Sequence, residues 1–296
     1  MKILLFGKTG QVGWELQRSL APLGDLVALD VDSQSHCGDL TNLDGVAQTI
    51  QLVAPDVIVN AAAHTAVDKA ESESELVRTI NARAPALMAQ QARQLGACLV
   101  HYSTDYVFDG SGSQPWLETD TTAPLSVYGQ TKLDAEAAII ASGCSHLIFR
   151  TSWVYAARGG NFAKTMLKLA KERDALKVIN DQVGAPTGAD LLADVTAHAI
   201  RTYMQNSDVA GLYHLVAAGE TSWHGYAQFV IDFARQSGVE VKVAQSAIEA
   251  VPTSAFPTPA KRPLNSRLNT QKLQKTFNLQ LPNWQLGVKR MLTEIL

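Results

Sequence analysis

Short apolar segments alternate with longer amphipathic segments along most of this 296-residue chain. The predicted strands are 2–7, 26–30, 56–60, 97–103, 146–151, 176–180 and 211–216. The predicted helices are 11–22, 42–53, 74–95, 127–142, 161–173, 189–205, 222–237, 269–276 and 283–295. This alternation predicts an α/β protein, in which helices cover both faces of a parallel sheet.

The alternation becomes less regular after residue 150, and proline and glycine are frequent from 252 to 263. We therefore predict a Rossmann-like, doubly wound parallel sheet, built mainly from residues 1–152. Residues 153–296 are predicted to form mainly a smaller, interleaved substrate-binding domain, with some segments returning to the sheet. This domain is expected to close over the carboxyl ends of the strands, where such folds bind ligands.

Composition narrows the functional classes. The net charge of −3 argues against a nucleic-acid partner, which requires a basic surface. No apolar run reaches the roughly eighteen residues that a membrane span needs, and 1–6 is too short for a signal peptide. The three cysteines are widely spaced and lack any C-x-x-C pair, which is typical of thiols in a reducing compartment. We expect a cytoplasmic protein without a membrane partner.

The first predicted strand runs directly into a glycine-rich turn that contains Gly7, Gly10 and Gly13. Glycines at such a turn let the backbone approach a pyrophosphate, and the following helix offers free N–H groups and a positive dipole end. The spacing is G-x-x-G-x-x-G, which differs from the usual dinucleotide fingerprint. A turn without a ligand is the alternative, but the strand before and the helix after favour a dinucleotide.

The second predicted strand ends in Asp30, seventeen residues after Gly13. An acid at this place can accept hydrogen bonds from the adenosine ribose. Asp39 and the backbone beside it are positioned to hold the adenine edge. Residues 31–33 bring no cation, although Lys8 lies in the glycine turn. Asp30 favours a free ribose hydroxyl over a 2′-phosphate, so these residues favour NADH or the use of both cofactors, and the predicted cofactor is NADPH or NADH.

Tyr128 and Lys132 lie one helical turn apart on a predicted helix, so their side chains share one face. An ammonium beside a phenol favours the phenolate, so we expect a lowered tyrosine pKa. Such a tyrosine can protonate a carbonyl oxygen while a hydride reaches its carbon. Thr104, at the end of a predicted strand, can hydrogen-bond the same oxygen. The alternative is an ordinary tyrosine and lysine on a solvated helix face.

Together these features resemble the extended short-chain dehydrogenase/reductases and, within them, the dTDP-4-dehydrorhamnose reductase family. Two positions differ from the family pattern: His64 stands where tyrosine is commoner, and Asp134-Ala135 replaces a small Ala-Gly pair. The matching stretches keep their order over essentially the whole chain: HTAVDKAE (64–71), STDYVFDG (103–110), YGQTK (128–132), RTSWVY (150–155), NDQVGAPT (180–187) and PTPAKRP (257–263).

The resemblance implies reduction of the 4-keto group of dTDP-4-dehydro-L-rhamnose to dTDP-L-rhamnose, a precursor of cell-surface polysaccharide. In this scheme Tyr128 protonates the C4 oxygen, Lys132 holds the nicotinamide ribose, and Thr104 hydrogen-bonds the reacting oxygen. The implied cofactor-binding residues are Gly7, Gly10, Gln11, Val12, Gly13, Asp30, Asp39, Leu40, Ala63, His64, Thr65, Tyr102, Tyr128 and Lys132. The implied substrate-binding residues are Thr104, Asp105, Trp153 and Arg262.

Several alternatives remain open at this point. Trp153 can pack rather than bind, and Arg262 can be a solvated loop charge. A dehydratase is disfavoured because Tyr106 stands where related 4,6-dehydratases carry an acid. A reductase of another nucleotide-linked 4-ketose, or a non-catalytic regulatory subunit of this fold, would share most of the features. Retention of the whole catalytic set argues for an enzyme.

The resemblance also implies a homodimer with Mg²⁺ at a contact made by surface carboxylates. Glu15 and Asp190 are the predicted metal ligands, and Glu294 is a further acid near the C-terminus. Oxygen ligands of this kind suit hard cations. No role in hydride transfer is expected for the metal, because Tyr128 already supplies the proton.

Overall fold

The computed structural model describes residues 1–296. Its strands are β1 (Lys2–Phe6), β2 (Asp25–Leu29), β3 (Val57–Asn60), β4 (Cys98–Thr104), β5 (His146–Thr151), β6 (Val154–Tyr155), β7 (Leu176–Ile179), β8 (Val183–Gly184), β9 (Thr187–Gly188), β10 (Gly211–His214), β11 (Thr221–Ser222) and β12 (Ile248–Val251). Its α-helices are α1 (Gln11–Leu20), α2 (Leu43–Val53), α3 (Val67–Ala70), α4 (Ser74–Arg78), α5 (Ala84–Leu95), α6 (Val127–Ser142), α7 (Phe162–Glu172), α8 (Ala189–Gln205), α9 (Trp223–Gln236), α10 (Gln271–Phe277) and α11 (Trp284–Ile295). Short 3-10 helices cover Ala21–Leu23, Asp105–Val107, Ser207–Val209, Gln245–Ala247 and Thr253–Ala255, and a π-helical segment covers Thr79–Arg83.

Six parallel strands form the central sheet in the order β2, β1, β3, β4, β5, β10. The chain leaves β1 toward one edge to form β2, then returns to the other side of β1 as β3. This reversal creates a switch point between β1 and β3, outside whose carboxyl ends doubly wound folds bind ligands. The predicted α/β fold with a doubly wound parallel sheet is confirmed.

The central strands are buried on both faces, which explains why they read as continuous apolar runs rather than alternating ones. One face packs against α1, α8 and α10, in a core that includes Leu16, Ile200 and Phe277. The other face packs against α2, α5 and α6, through residues that include Met88 and Ile139. The two layers fix where each helix begins relative to the strand ends.

A separate core joins α7, α9 and α11 to the small sheet of β7 and β12, with Tyr226 and Trp284 among its largest members. Residues after 153 also contribute to the main sheet, since β10 pairs with β5 and α8 packs in the core beside α1. The boundary at residue 152 stays a prediction. None of the helices combines the length and apolarity needed to cross a membrane.

The segment 74–95, predicted as one helix, contains α4, the π-helical turn and α5. Pro85 has no N–H to complete a regular α-helical turn, and the Ala84 N–H donates to the Thr79 carbonyl five residues earlier. The short strands β6, β8, β9, β11 and β12 and the helix α3 were not predicted.

A buried ion pair ties α6 to the sheet. Two of the three guanidinium nitrogens of Arg150 donate to Glu136, with Nε–Oε1 at 2.9 Å and Nη2–Oε2 at 2.6 Å. Ser103 on β4 donates to the same carboxylate. Because Glu136 is 2% exposed and Arg150 is 4% exposed, neither charge has water as an alternative partner.

Arg150→Met is expected to lower the free energy of unfolding by about 3–5 kcal/mol, because it leaves the Glu136 charge buried and unpaired. Urea denaturation followed by circular dichroism measures the change. The control is Arg18→Ala, which removes a pair with Asp194 between two half-exposed side chains and should cost less than about 1 kcal/mol. Equal losses in the two variants would contradict the assigned role of the buried pair.

Candidate active site

The glycine turn brings the ends of β1 and β3 into contact. Gly7 has a φ of +88°, and a Cβ atom there would lie 2.7 Å from the Ala62 nitrogen. A Cβ atom on Gly13 would lie 1.9 Å from the Gly7 oxygen, so α1 can start this close to β1 only with glycine at that place. At Gly10 the nearest atom would be an ordinary 3.4 Å away. A Cβ atom on Gly10 would therefore meet no protein atom closer than an ordinary contact.

Helix α1 begins at Gln11 without a side-chain cap. The first N–H groups of a helix have no partner within it, so this end presents free donors and a positive dipole end to the cleft. Together with the glycine turn, they form a cradle that fits the pyrophosphate of a dinucleotide.

The predicted adenosine end lies beyond β2. The Asp30 carboxylate accepts a hydrogen bond from the Ser33 hydroxyl at 3.1 Å. Gly38 lies so close to the backbone of Asp30 that a Cβ atom on it would be 2.2 Å from the Asp30 carbonyl oxygen. This close approach brings Asp39 to the same strand end. The side chain of Leu40 is buried in the core under α2, so a cofactor contact at this residue would be made by its main chain.

A cleft of about 440 Å³ lies outside the carboxyl ends of β1, β3, β4 and β5. Of the predicted catalytic, cofactor-binding and substrate-binding residues, seven lie outside its lining: Gly7, Gly13, Asp30, Asp39, Leu40, His64 and Arg262. The predicted residues that line it are Gly10, Gln11, Val12, Ala63, Thr65, Tyr102, Thr104, Asp105, Tyr128, Lys132 and Trp153.

Helix α6 positions Tyr128 and Lys132. It begins after Ser126, whose hydroxyl caps the Gly129 N–H at 3.2 Å. A Cβ atom on Gly129 would lie 2.2 Å from the backbone carbonyl oxygen of Tyr106. Glycine at this position therefore allows the first turn of α6 to pack against the Asp105–Val107 turn. Tyr128 therefore reaches the cleft beside the strand end that carries Thr104, and one turn later Lys132 points into the buried layer under β4.

The expected lowering of the Tyr128 pKa is wrong for this structure. Burial raises the pKa of Tyr128 to about 12, although its hydrogen bond with Thr104 acts in the opposite direction. The Lys132 amine is directed toward His101, with Nζ and Nε2 3.1 Å apart. Helical spacing placed the two side chains on one face, but desolvation of the phenol has the largest effect on its pKa, and Lys132 is not among the groups that shift it. The high pKa keeps Tyr128 protonated, as a proton donor must be.

Burial lowers the pKa of Lys132 to about 8, against the attraction of Glu136 one turn later, which raises it. Burial, and then the nearby Lys132, hold the pKa of His101 well below its ordinary value. Asp105 is affected in the same physical way: burial raises its pKa to about 6, although the nearby Ser266 and the hydrogen bond that Thr104 donates both lower it. Near neutral pH the Asp105 carboxylate and the Lys132 ammonium therefore still predominate, and their opposite charges leave little net charge.

Trp153 and Trp223 form an aromatic wall of the cleft, with ring centroids 3.7 Å apart and planes at 14°. Trp153 has a φ of +50°, a left-handed conformation that is strained for a bulky residue and that clusters at functional sites. Gly184 allows this arrangement, because a Cβ atom there would lie 3.0 Å from the Trp153 ring. The indole N–H of Trp223 donates to Gln182 at 3.0 Å.

Arg262 lies in a neighbouring cavity of about 240 Å³ that shares Tyr106 and Trp223 with the main cleft. Its guanidinium donates to Asp68 at 2.8 Å, and its Nη1 atom is buried without a protein partner. Its side chain is 25% exposed, so it is not an ordinary solvated loop charge. Lys177 lines the same cavity, and its exposed ammonium lies 3.6 Å from Glu249.

The loop after β3 is fixed by Asn81 of the π-helical segment. The His64 N–H donates to the Asn81 side chain at 2.8 Å, and the Asn81 amide donates to the His64 carbonyl at 3.0 Å. The His64 ring pairs with Glu73 at 3.1 Å. The loop thereby places Ala63 and Thr65 along the cleft.

Glu15, Asp190 and Glu294 line a different cleft, of about 500 Å³. They do not form a group of three side chains able to hold a metal ion. Arg18 lies 3.3 Å from Glu15, and Arg290 lies 3.6 Å from Asp190, so arginines accompany two of the acids. The predicted metal site is not assembled within one copy of the chain, and no chemical step is assigned to it.

Sequence reasoning did not identify Asn60, His101, Asn81 and Trp223 as parts of the site. A signal for His101 was present, because polar residues at 101 and 103 interrupt an otherwise apolar strand at its period of two. His101 contacts Lys132, and Ser103 contacts Glu136. Lys132 and Glu136 lie four residues apart on α6, so they share one helix face. Trp223 does not stand at the end of a main-sheet strand, so no sequence pattern marked it as a site residue.

The family model described as the RmlD substrate binding domain matches residues 1–296. The chain is 63% identical over 295 residues to the dTDP-4-dehydrorhamnose reductase of Escherichia coli (strain K12), covering 100% of this chain and 98% of that protein. It is 46% identical over 300 residues to a Burkholderia thailandensis protein of the same name, covering 100% and 99%.

Solved structures agree with these relatives. The crystal structure of a dTDP-4-dehydrorhamnose reductase from Bacillus anthracis in complex with NADP has a TM-score of 0.86 and 33% identity, covering 99% of both chains. That of the Clostridium acetobutylicum protein has a TM-score of 0.88 and 37% identity, covering 100% of this chain and 99% of its own. The residues, the fold and these relatives lead to one conclusion: the chain belongs to the dTDP-4-dehydrorhamnose reductase family.

Proposed function

We propose that this chain reduces the 4-keto group of dTDP-4-dehydro-L-rhamnose to the hydroxyl of dTDP-L-rhamnose, using NADPH or NADH. The observation that carries the proposal is the meeting of Tyr128, Lys132 and Thr104 in one cleft beside the glycine turn. The name shared by relatives that match the whole chain supplies the substrate.

The cofactor fits the residues present. Gly7 and Gly13 let β1, β3 and α1 pack closely, so that the free N–H groups of α1 face the cleft beside Gly10. Asp30 and Asp39 lie at the proposed adenosine end. When bound, the reduced nicotinamide supplies the hydride that reaches C4 of the sugar. Lys132 is the candidate partner for the nicotinamide ribose, and Ala63 and Thr65 would line the groove.

Tyr128 is the proposed proton donor. Its pKa of about 12 keeps the phenol protonated throughout the neutral range, and the O–H proton passes to the C4 oxygen as the new C–H bond forms. Thr104 holds the oxygen beside the phenol. Lys132 in its ammonium form stabilises the phenolate that remains, and this role requires a pH below its own pKa of about 8.

The rest of the substrate is proposed to extend along the aromatic wall. Trp153 and Trp223 offer apolar faces to the sugar, and Asp105 accepts from its hydroxyls. Arg262 and Lys177, which line the adjoining cavity, are the proposed contacts of the diphosphate.

The first experiment follows the loss of reduced-nicotinamide absorbance with enzymatically prepared dTDP-4-dehydro-L-rhamnose, offering NADPH and NADH separately. Oxidation is expected, with dTDP-L-rhamnose as the product. Tyr128→Phe should lower kcat by at least about 100-fold, because the proton donor is lost, and should leave cofactor affinity nearly unchanged. Tyr203→Phe, far from the cleft, is the matched control. Full activity in Tyr128→Phe would rule out this proton donor.

Lys132→Met is expected to lower both the reduction rate and the cofactor affinity. The loss of a charge-assisted hydrogen bond to the ribose should weaken NAD(P)H binding about tenfold or more, as measured by fluorescence titration. Lys168→Met removes an exposed lysine of α7 and serves as the control. If Lys132→Met binds cofactor as tightly as this control, the lysine does not hold the ribose.

We further propose a homodimer that contains Mg²⁺, formed through the face that carries Glu15, Asp190 and Glu294. In its support, these acids line one cleft, and the neighbouring Trp14 is 48% exposed. Light scattering is expected to give twice the chain mass with Mg²⁺ and less with a chelator. Glu15→Ala should weaken the dimer, and a monomer under all conditions would contradict the proposal.

The proposed location is the cytoplasm. The three cysteines are free thiols, and two of them are buried, as expected of a chain that folds in a reducing compartment. Cell fractionation is expected to recover the protein with cytoplasmic markers, and recovery with the envelope would overturn this assignment.

A further inference from the structure

A chain of buried polar side chains runs from the end of β3 to the catalytic lysine. Asn60 Nδ2 lies 3.3 Å from His101 Nδ1, and His101 Nε2 lies 3.1 Å from Lys132 Nζ. The three residues are 1%, 1% and 2% exposed. Because no water competes at these contacts, each hydrogen must point at an acceptor, and the direction of every bond can be worked out.

The backbone fixes the first bond. The Ala62 N–H donates to Asn60 Oδ1 at 3.1 Å, and a backbone N–H can donate a hydrogen bond but cannot accept one. The oxygen of the amide therefore faces Ala62, and its NH₂ group faces His101. Since an NH₂ group only donates, Nδ1 of His101 must accept. A neutral imidazole that accepts at Nδ1 carries its proton on Nε2.

The Nε2–H group of His101 then points at the Lys132 nitrogen. A neutral amine has a lone pair to accept this hydrogen, whereas an ammonium has only donors and would place N–H against N–H. The ring cannot relieve the conflict by taking a second proton, because burial and Lys132 hold the pKa of His101 well below its ordinary value.

We propose that His101 and Asn60 are positioning residues for the reduction, which favour the neutral amine of Lys132 through this directed chain of hydrogen bonds. The kinetic consequence rests on the proposed function, in which the ammonium of Lys132 supports proton donation by Tyr128. The direction of the chain is a property of the protein alone, so it can be tested without turnover.

The other groups around Lys132 act differently. On α6, Glu136 favours the ammonium, but its carboxylate is engaged by Arg150 of β5 and so its effect is reduced. Tyr128, one turn earlier, stays a neutral phenol. The chain through His101 of β4 is therefore the contact that distinguishes the two forms of the amine by hydrogen-bond direction.

Asn60→Asp tests the direction of the chain. One carboxylate oxygen can accept from Ala62 and the other from His101 Nδ1–H, which leaves Nε2 as an acceptor for the ammonium. The reductive kcat/KM of the native sequence should fall above about pH 8, where the ammonium is lost. In Asn60→Asp this fall is expected to move up by at least about one pH unit, equivalent to tenfold stabilisation of the ammonium.

His101→Phe provides the matched control, since a new carboxylate can also attract the ammonium through space. If the shift passes through His101, Asn60→Asp causes none in the His101→Phe background. A shift of the same size in that background would overturn the proposal, because simple charge attraction would explain it.

Nitrogen NMR of the histidine rings gives the independent readout, with the His101 signals identified by their absence in His101→Phe. The native protein is expected to carry the proton on Nε2, and Asn60→Asp is expected to carry it on Nδ1. A native ring protonated on Nδ1, or on both nitrogens, would overturn the proposal even if Asn60→Asp does not fold. If the dTDP sugar is not reduced but the native ring carries its proton on Nε2, the proposed function fails and the directed chain stands.

Discussion

The close approach of the ends of β1 and β3 is the constraint on which the rest of the site depends. Gly7 meets the backbone of Ala62, and Gly13 meets Gly7, at distances that no side chain would allow. This packing sets the start of α1 beside the end of β3, so the free N–H groups, Ala63 and Thr65 face one cleft. The same strand end supplies Asn60, which begins the buried chain toward Lys132.

Burial then decides the chemistry of the side chains that reach the cleft. It keeps Tyr128 protonated, brings the pKa of Lys132 to about 8, and leaves the protonation of Lys132 to be settled by hydrogen-bond partners. In water the lysine pKa is about 10.4, far from the neutral range, so a neighbouring imidazole would matter little at neutral pH. Between β4 and α6 no water competes with the contact between His101 and Lys132, so the direction of this hydrogen bond affects the proposed reaction.

Much of the fold was predictable, because strand burial and helix amphipathicity leave periodic patterns. The strands of the main sheet and the longer helices matched elements predicted from periodicity, except that the π-helical turn before Pro85 divides 74–95. The glycine turn, Thr104, Tyr128 and Lys132 were predictable because local spacing alone defines them. Trp223 was not, since it stacks on Trp153 from a helix seventy residues later.

The sequence by itself determined the doubly wound sheet, the family, and the identity of the groups that carry the proposed reaction, because these follow from local pattern and motif. Only the tertiary structure decided how those groups ionise. The spacing of Tyr128 and Lys132 predicted a lowered tyrosine pKa, yet the fold directs the lysine to His101 and desolvates the phenol, so the pKa rises. Ionisation depends on burial and on partners that are distant in sequence, and only the packed chain brings those together.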